Sequence, residues 1–221
     1  MQHYHMTKKI ISVSGLIGSG KDTVANYLTT HHGFKKLAFA SSLKDAVSVV
    51  FNWDREMLEG ATKNSREWRD QIDPWWSKRL DIPHLTPRWV LQHWGTEVLR
   101  QGFHDDIWIA SLESKLINIT DNVVITDARF FNELDVVKKL GGTSVRVVRG
   151  PNPDWYQAAE LYNTCVSDEF TNEMYRIPAG IVLDRFKVHA SEYSSVGYTY
   201  DHILENNATI DDLNTKISEI L

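Results

Sequence analysis

One stretch constrains this chain more than any other. Residues Gly15-Leu16-Ile17-Gly18-Ser19-Gly20-Lys21 fit the spacing G-x-x-x-x-G-K. They follow a short apolar run, Ile10-Ile11-Ser12-Val13-Ser14, that reads as a buried strand. They precede Asp22-Thr23-Val24-Ala25-Asn26-Tyr27-Leu28, which reads as a helix stopped at Gly33. Strand, glycine loop and helix in that order point to a layered α/β architecture. The glycines let successive backbone N–H groups turn inward without Cβ clashes, and the helix start adds its positive end. The product is a cradle for an anion, with Lys21 in register to reach the β and γ phosphates of a nucleoside triphosphate. Gly15, Gly18, Ser19, Gly20, Lys21, Asp22 and Thr23 are the expected triphosphate contacts. The bland alternative is a glycine-rich turn.

One position departs from the common form of the loop. Asp22 stands where a Ser or Thr hydroxyl usually ligates Mg²⁺. A carboxylate beside a triphosphate is repelled unless a cation lies between them. Asp22 is therefore expected to hold Mg²⁺ through a water, because Mg²⁺ sheds its waters reluctantly. The alternative is a favourable charge on the helix's first turn.

The alternation continues along the chain. Residues 34–39 read as a second strand, and Ser41 or Ser42 as the cap of a helix carrying Leu43, Ala46, Val47 and Val50. Residues 53–87 carry a weak signal. They are rich in Trp, Arg and Asp, with Pro74, Pro83 and Pro87 as breakers, and suit a mobile cap over a substrate. Residues 88–99 and 107–117 have helical spacing. Residues 123–126 form an apolar strand run ending at Asp127, and Leu134, Val137 and Leu140 mark a helix closed by Gly141-Gly142. Residues 144–148 are the next strand. Residues 151–198 are polar and aromatic and read as an insertion rather than a domain. Residues 202–204 are a last strand, and Thr209 starts a terminal helix through Leu213, Ile217 and Ile220. These elements predict one three-layer α/β domain over 1–221 with a five-stranded parallel sheet and its site at the strands' C-terminal edge.

Asp127 sits where an acid at a strand end can meet a phosphate-bound cation. Arg129 and Glu133 follow within two helical turns. Together they suit recognition of a phosphate or a sugar hydroxyl and its cation, while Asp127 could instead cap the helix that follows. Arg149, ending the next strand, could reach a transferring phosphate or lie solvated on the surface. Lys44, Arg88 and Arg100, each taken alone, read as solvated charges, with Lys44 opposite the apolar face of its helix.

Composition narrows the partners. The formal net charge is −5 with both signs interspersed, which argues against a long nucleic acid. The one cysteine, Cys165, permits no internal disulfide and fits a reducing, cytoplasmic setting. Residues 1–9 carry no signal-peptide apolar run. No stretch approaches the ~20 apolar residues that span a bilayer.

Several pieces then fall in order. They are Ser14-Gly15 with Ser19-Gly20-Lys21-Asp22-Thr23; Leu37-Ala38 with Leu43-Lys44-Asp45-Ala46; Arg88 with Gln92, Gly95-Thr96 and Trp108; Asp127-Ala128-Arg129 with Glu133; Gly142-Thr143 with Val147-Val148-Arg149; His189 with Ser191-Glu192; and Asn206-Asn207 with Asp212-Leu213. In this the chain resembles the phage-type deoxynucleoside monophosphate kinases, relatives of the adenylate-kinase-like P-loop fold. The resemblance covers most of the chain and includes the Lys21-Asp22-Thr23 variant.

It implies an ATP- and Mg²⁺-dependent transfer of phosphate to a (d)NMP, with helical acceptor-side (53–87) and lid (150–198) segments. Lys44, Arg88, Gln92 and Thr96 would line the monophosphate pocket. Trp108 would meet base or sugar, although spacing alone makes it a core aromatic. Asp127 and Arg129 would orient the acceptor, and Asp22 and Asp127 would hold Mg²⁺. Asn206 and Asn207 would lie beside adenine, and a homodimer follows by analogy. The long segment between Arg149 and His189 departs from the pattern and leaves Arg176 and Arg185 as lid candidates by position only. Two other readings stay open: a kinase of another small phosphorylated metabolite, of phosphomevalonate or dephospho-coenzyme A type, and a nucleotide-dependent ATPase switch. Against the latter, Ala128 rather than a glutamate directly follows Asp127.

Overall fold

The structure, a computed structural model, describes residues 8–165 and 172–221. Residues 1–7, and the 166–171 part of the expected lid, lie outside the described residues. The chain divides into two compact units, Met1–Ala38 with Asn118–Leu221, and Phe39–Ile117.

The first unit is built on five strands: β1 (Ile10–Ser14), β2 (Lys35–Leu37), β3 (Val123–Ile125), β4 (Thr143–Val148) and β5 (His202–Glu205). They form one parallel sheet in the order β2-β3-β1-β4-β5. Ile11 stands opposite Val124 on one side and Thr143 on the other. All five residues of β1 are buried, so the strand reads as an unbroken run rather than an alternation.

One face of the sheet, with Ile11, Val13, Val124, Val145, Val147 and Leu204, packs on Val24, Ala25 and Leu28 of helix Lys21–His32 and on Leu213 and Ile217 of helix Ile210–Ser218. Each such valine, leucine or isoleucine side chain contributes about 1.5–3 kcal/mol when fully buried. Helix Phe131–Lys139 packs against β1 and β4 and buries Leu134 and Val137. The chain runs from β1 past β3 to the edge, then returns to place β4 on the other side of β1. Strand order reverses at β1, and a crevice opens at the carboxyl ends there.

Between β4 and β5 the unit carries helices Tyr156–Thr164, Ile177–Phe186 and Ala190–Tyr193 around a small core of Ala159, Leu183 and Val196. Arg176 lies over the Tyr162 ring at 4.8 Å, and Arg185 is exposed.

The second unit is helical: Ser41–Phe51, Arg55–Glu59, Lys63–Arg69, Pro74–Leu80, Pro87–His93, the π-helical Trp94–Gln101, and Ile107–Leu116. Four short helices each begin at a side-chain cap. Asp54 accepts from Glu56 and Met57, Thr62 from Ser65, Asp73 from Trp76, and Thr86 from Trp89. Pro74 and Pro87 therefore act not as breakers but as first-turn residues, where no N–H is required. Neither Ser41 nor Ser42 caps its helix, because Ala40 holds that position without a side-chain bond.

Aromatic rings close this unit. Phe51 lies 4.5 Å from Trp53, 4.8 Å from Trp76 and 5.3 Å from Trp94 between ring centres. The indole N–H groups find acceptors in Asp73 Oδ2 (from Trp53, 2.9 Å) and Phe51 O (from Trp76, 3.1 Å). No helix among the described residues is long and apolar enough to cross a membrane.

Candidate active site

The loop after β1 owes its shape to glycines at positive φ. Gly15 has φ +144°, and a Cβ there would lie 2.3 Å from Val147 O. Gly20 has φ +109°, and its Cβ would lie 2.4 Å from Asn206 Nδ2. That amide donates to Ser19 O at 2.8 Å, tying the connection after β5 to the loop. Asn207 Oδ1 accepts the Gly150 N–H at 2.9 Å, tying the same connection to the end of β4. The Ser19 side chain is buried, and its Oγ has no hydrogen-bond partner among the described residues.

Lys21 folds back on the loop. Its ammonium donates to Gly15 O at 2.8 Å and Leu16 O at 2.9 Å. Burial pushes its pKa down and the Arg129 charge adds to this, while the Asp22 and Glu192 carboxylates oppose it. A cation held where its charge is costly gains most from an anionic partner.

A cleft lies beside the loop. Gly15, Leu16, Ile17 and Lys21 form one part of its wall, and Thr126, Asp127, Ala128 and Arg129, at the end of β3, form another. Ser191, Glu192 and Ser195 complete it. Ser14 Oγ donates to Ala128 O at 2.5 Å, which laces the ends of β1 and β3 together. The Arg129 backbone N–H donates to Glu133 Oε2 at 2.7 Å, and Phe130 N–H reaches the same oxygen at 3.3 Å. Glu133 is buried and serves the start of helix Phe131–Lys139. Phe130, not Asp127, holds the cap position of that helix.

Asp22 is 81% exposed, pairs with Lys36 Nζ at 3.1 Å and is not part of the cleft wall. Arg149 is exposed at the end of β4 and is likewise absent from the wall. Thr23 lies in the first turn of helix Lys21–His32. The donors at the loop and wall best suited to a hard cation are oxygens: the Asp127 carboxylate and the unpartnered Ser19 hydroxyl. Oxygen donors of this kind suit Mg²⁺, which takes one or two carboxylates and completes its shell with substrate phosphates and water.

The expected monophosphate-pocket residues, with Trp108, lie in the second unit. Trp108 is buried, with its indole N–H on Gly95 O at 2.8 Å. Thr96 is buried in the π-helical segment, where Gly95 lies so close to Leu43 that a Cβ would meet Cδ2 at 2.8 Å. This brings the Lys44, Thr96 and Trp108 neighbourhoods together. Residues 88–99 are thus not one α-helix, and a wider turn begins at Trp94. Gln92 is half-buried.

Lys44 is not a solvated charge: its side chain is 13% exposed and pairs with Glu59 at 2.8 Å. Arg55 meets Glu59 and Asp45, both at 2.7 Å. Burial alone would raise the Glu59 pKa, but Lys44 and Arg55 outweigh it and hold it at about 2. Arg88 makes a two-pronged contact with Asp70. Arg100 is buried rather than solvated and donates to Asp105 O at 2.8 Å.

Ser191, Glu192 and Ser195 lie in the stretch read as an insertion. His189 with Ser191-Glu192 carried part of the resemblance, yet no periodicity or spacing assigned them to the cleft.

A parallel sheet in this strand order, with a lysine-bearing anion loop after its central strand and an acid and an arginine at the next strand end, defines a P-loop kinase, an ATP-dependent phosphotransferase. A protein of Acanthamoeba polyphaga mimivirus described as a deoxynucleotide monophosphate kinase is 36% identical over 154 residues, covering 63% of this chain and 74% of that one. The chain belongs to the deoxynucleotide monophosphate kinase family. No family model matches it. Solved structures of similar outline include TT1252 from Thermus thermophilus, 16% identical with a TM-score of 0.43 over 96% of both chains. Dephospho-CoA kinase from Campylobacter jejuni is 15% identical with a TM-score of 0.44, over 96% of this chain and 95% of that one. At these scores neither bears on substrate or mechanism.

Proposed function

We propose that this chain transfers the γ-phosphate of ATP to a deoxynucleoside monophosphate, giving the diphosphate. The observation that carries this reading is the pairing of two cations on one cleft, Lys21 from the glycine loop and Arg129 from the end of β3. A phosphate acceptor, with a second pKa near ~6, is largely deprotonated at neutral pH and needs little general-base help. Two anions must instead be aligned, neutralised and kept from water.

In this mechanism the N–H groups around Gly15, Gly18, Ser19 and Gly20 hold the triphosphate, and Lys21 exchanges its carbonyl partners for β and γ oxygens. Arg129, with Asp127 beside it, orients the acceptor phosphate, and Arg149 is the further cation for the transferring group. Asp127 and Ser19 Oγ would hold Mg²⁺, with Asp22 acting through water. The ion, when bound, supplies positive charge between the phosphates. Asn206 and Asn207 shape the adenine side. Lys44, Arg88, Gln92, Thr96 and Trp108 receive the nucleotide acceptor, with residues 53–87 as its cap and 150–198 as the lid. The kinase acts on small nucleotides in the cytoplasm, that of a host cell for a viral chain, as a homodimer and without long nucleic acid.

The test is transfer from ATP and Mg²⁺ to each (d)NMP separately, with products resolved. Formation of a dNDP is the expected result. Hydrolysis without acceptor that exceeds every transfer would make the chain an ATPase switch. Transfer only to phosphomevalonate or dephospho-coenzyme A would reassign the acceptor.

A further inference from the structure

Arg129 is fixed at both ends by carboxylates. Its backbone N–H is held by Glu133 at 2.7 Å. Its guanidinium Nη1 lies 3.6 Å from Glu192 Oε1, 3.4 Å from Ser191 O and 3.5 Å from Ser191 Oγ. Glu192 stands in the short helix Ala190–Tyr193, whose start is set by His189. The His189 Nδ1 accepts the Ser191 N–H at 3.2 Å and lies 2.9 Å from Ser191 Oγ. Glu192 is 23% exposed and borders the same cleft as Lys21 and Arg129.

An acid on the wall of an anion site weakens anion binding by like-charge repulsion. Its use must lie elsewhere. Lys21 and Arg129 repel each other across the cleft, and the lowered Lys21 pKa reflects this repulsion in part, with Glu192 opposing it. Left without a counter-charge, a long arginine side chain would swing toward solvent and give up its alignment. We propose that Glu192 is a positioning residue: it holds the Arg129 guanidinium on the cleft wall, from which an incoming phosphoryl group takes it over. What Arg129 then does in turnover rests on the kinase reading; its place beside Lys21 on the cleft wall does not.

The full chain is compared as wild type, Glu192→Gln, Glu192→Asp, Arg129→Ala and the double variant Arg129→Ala/Glu192→Gln. Two quantities are read: kcat and KM for transfer, and affinity for inorganic tripolyphosphate by calorimetry without acceptor. Glu192→Gln should bind tripolyphosphate about threefold more tightly, because a repelling charge has gone and the anion no longer competes with Glu192 for Arg129. Its kcat should fall about tenfold with no rise in KM, because alignment is lost. Glu192→Asp should recover part of kcat. In the Arg129→Ala background, Glu192→Gln should cost no further kcat and gain less affinity.

Weaker tripolyphosphate binding in Glu192→Gln, an unchanged kcat, or an equal loss of kcat with and without Arg129 would overturn the proposal. If the wild type transfers to no nucleotide, the proposed activity fails while the calorimetric arm still decides. An affinity gain that shrinks without Arg129 supports the positioning role, and no gain overturns it.

Discussion

The carboxylate of Glu133 reaches back along the chain to accept the backbone N–H of Arg129 at 2.7 Å, so a buried acid fixes the backbone from which a cleft cation projects. Glu133→Ala strips two N–H groups, those of Arg129 and Phe130, of their acceptor. The expected loss is about 1–3 kcal/mol of unfolding free energy. Urea titration measures it. The same variant should raise the KM for the nucleotide acceptor more than that for ATP, and equal rises would separate Glu133 from the acceptor side.

Lys21→Ala should leave the fold standing and remove transfer. Among the described residues the ammonium is bonded to two loop carbonyls, so its loss uncovers no buried carboxylate. The missing transition-state contact is worth on the order of 3 kcal/mol, roughly a hundredfold or more in kcat. Circular-dichroism melting alongside the transfer assay gives both answers. Turnover near that of wild type would sink the site.

Gly20→Ala meets two obstacles: a φ of +109° and the Asn206 amide at 2.4 Å from the new Cβ. It should weaken ATP binding and cost about 1–3 kcal/mol of stability for the backbone conformation. Adding Asn206→Ala removes the steric obstacle but not the backbone one. The pair should therefore recover only part of the loss. Full recovery in calorimetric titration with ATP would show that the clash alone mattered.

Glu59 links stability to pH. Its folded pKa of about 2 lies below the ordinary 4.5. The stability it contributes is complete above the unfolded value and fades as pH falls from 4.5 toward 2. Glu59→Gln should thus be less stable than wild type at neutral pH, and the two should converge through that acid window. Its carboxylate is 41% exposed, so solvent screening keeps the difference small. A gap that stays constant from neutrality to acid would rule the ion pairs out as its source.

Legibility followed the range over which each signal acts. The strands could be read because Ile10-Ile11-Ser12-Val13 and Val123-Val124-Ile125 are buried apolar runs between breakers. Their order could not, since pairing Ile11 with both Val124 and Thr143 is decided by contacts far apart in sequence. The Trp-rich stretch defeated periodicity because its helices last five to seven residues. Their caps, Asp54, Thr62, Asp73 and Thr86, were the available signal. In the cleft, the glycine loop and the Asp127–Arg129 strand end were visible as local patterns. Glu192 was not assigned there, because only the folded chain brings it to Arg129, 63 positions away.

The placing of β1 at the centre of the sheet also orders the chain's assembly in time. Its partners are β3 and β4, so a nascent chain that ends before Thr143 carries the complete phosphate loop beside a strand with an open edge. The Asn206 fastening of that loop comes later still. Contacts of such separation close slowly, and an unpaired apolar strand invites aggregation meanwhile. The glycine loop is thus synthesised before the strands and the asparagine that fasten it, which makes late refolding steps the ones a bound triphosphate should accelerate.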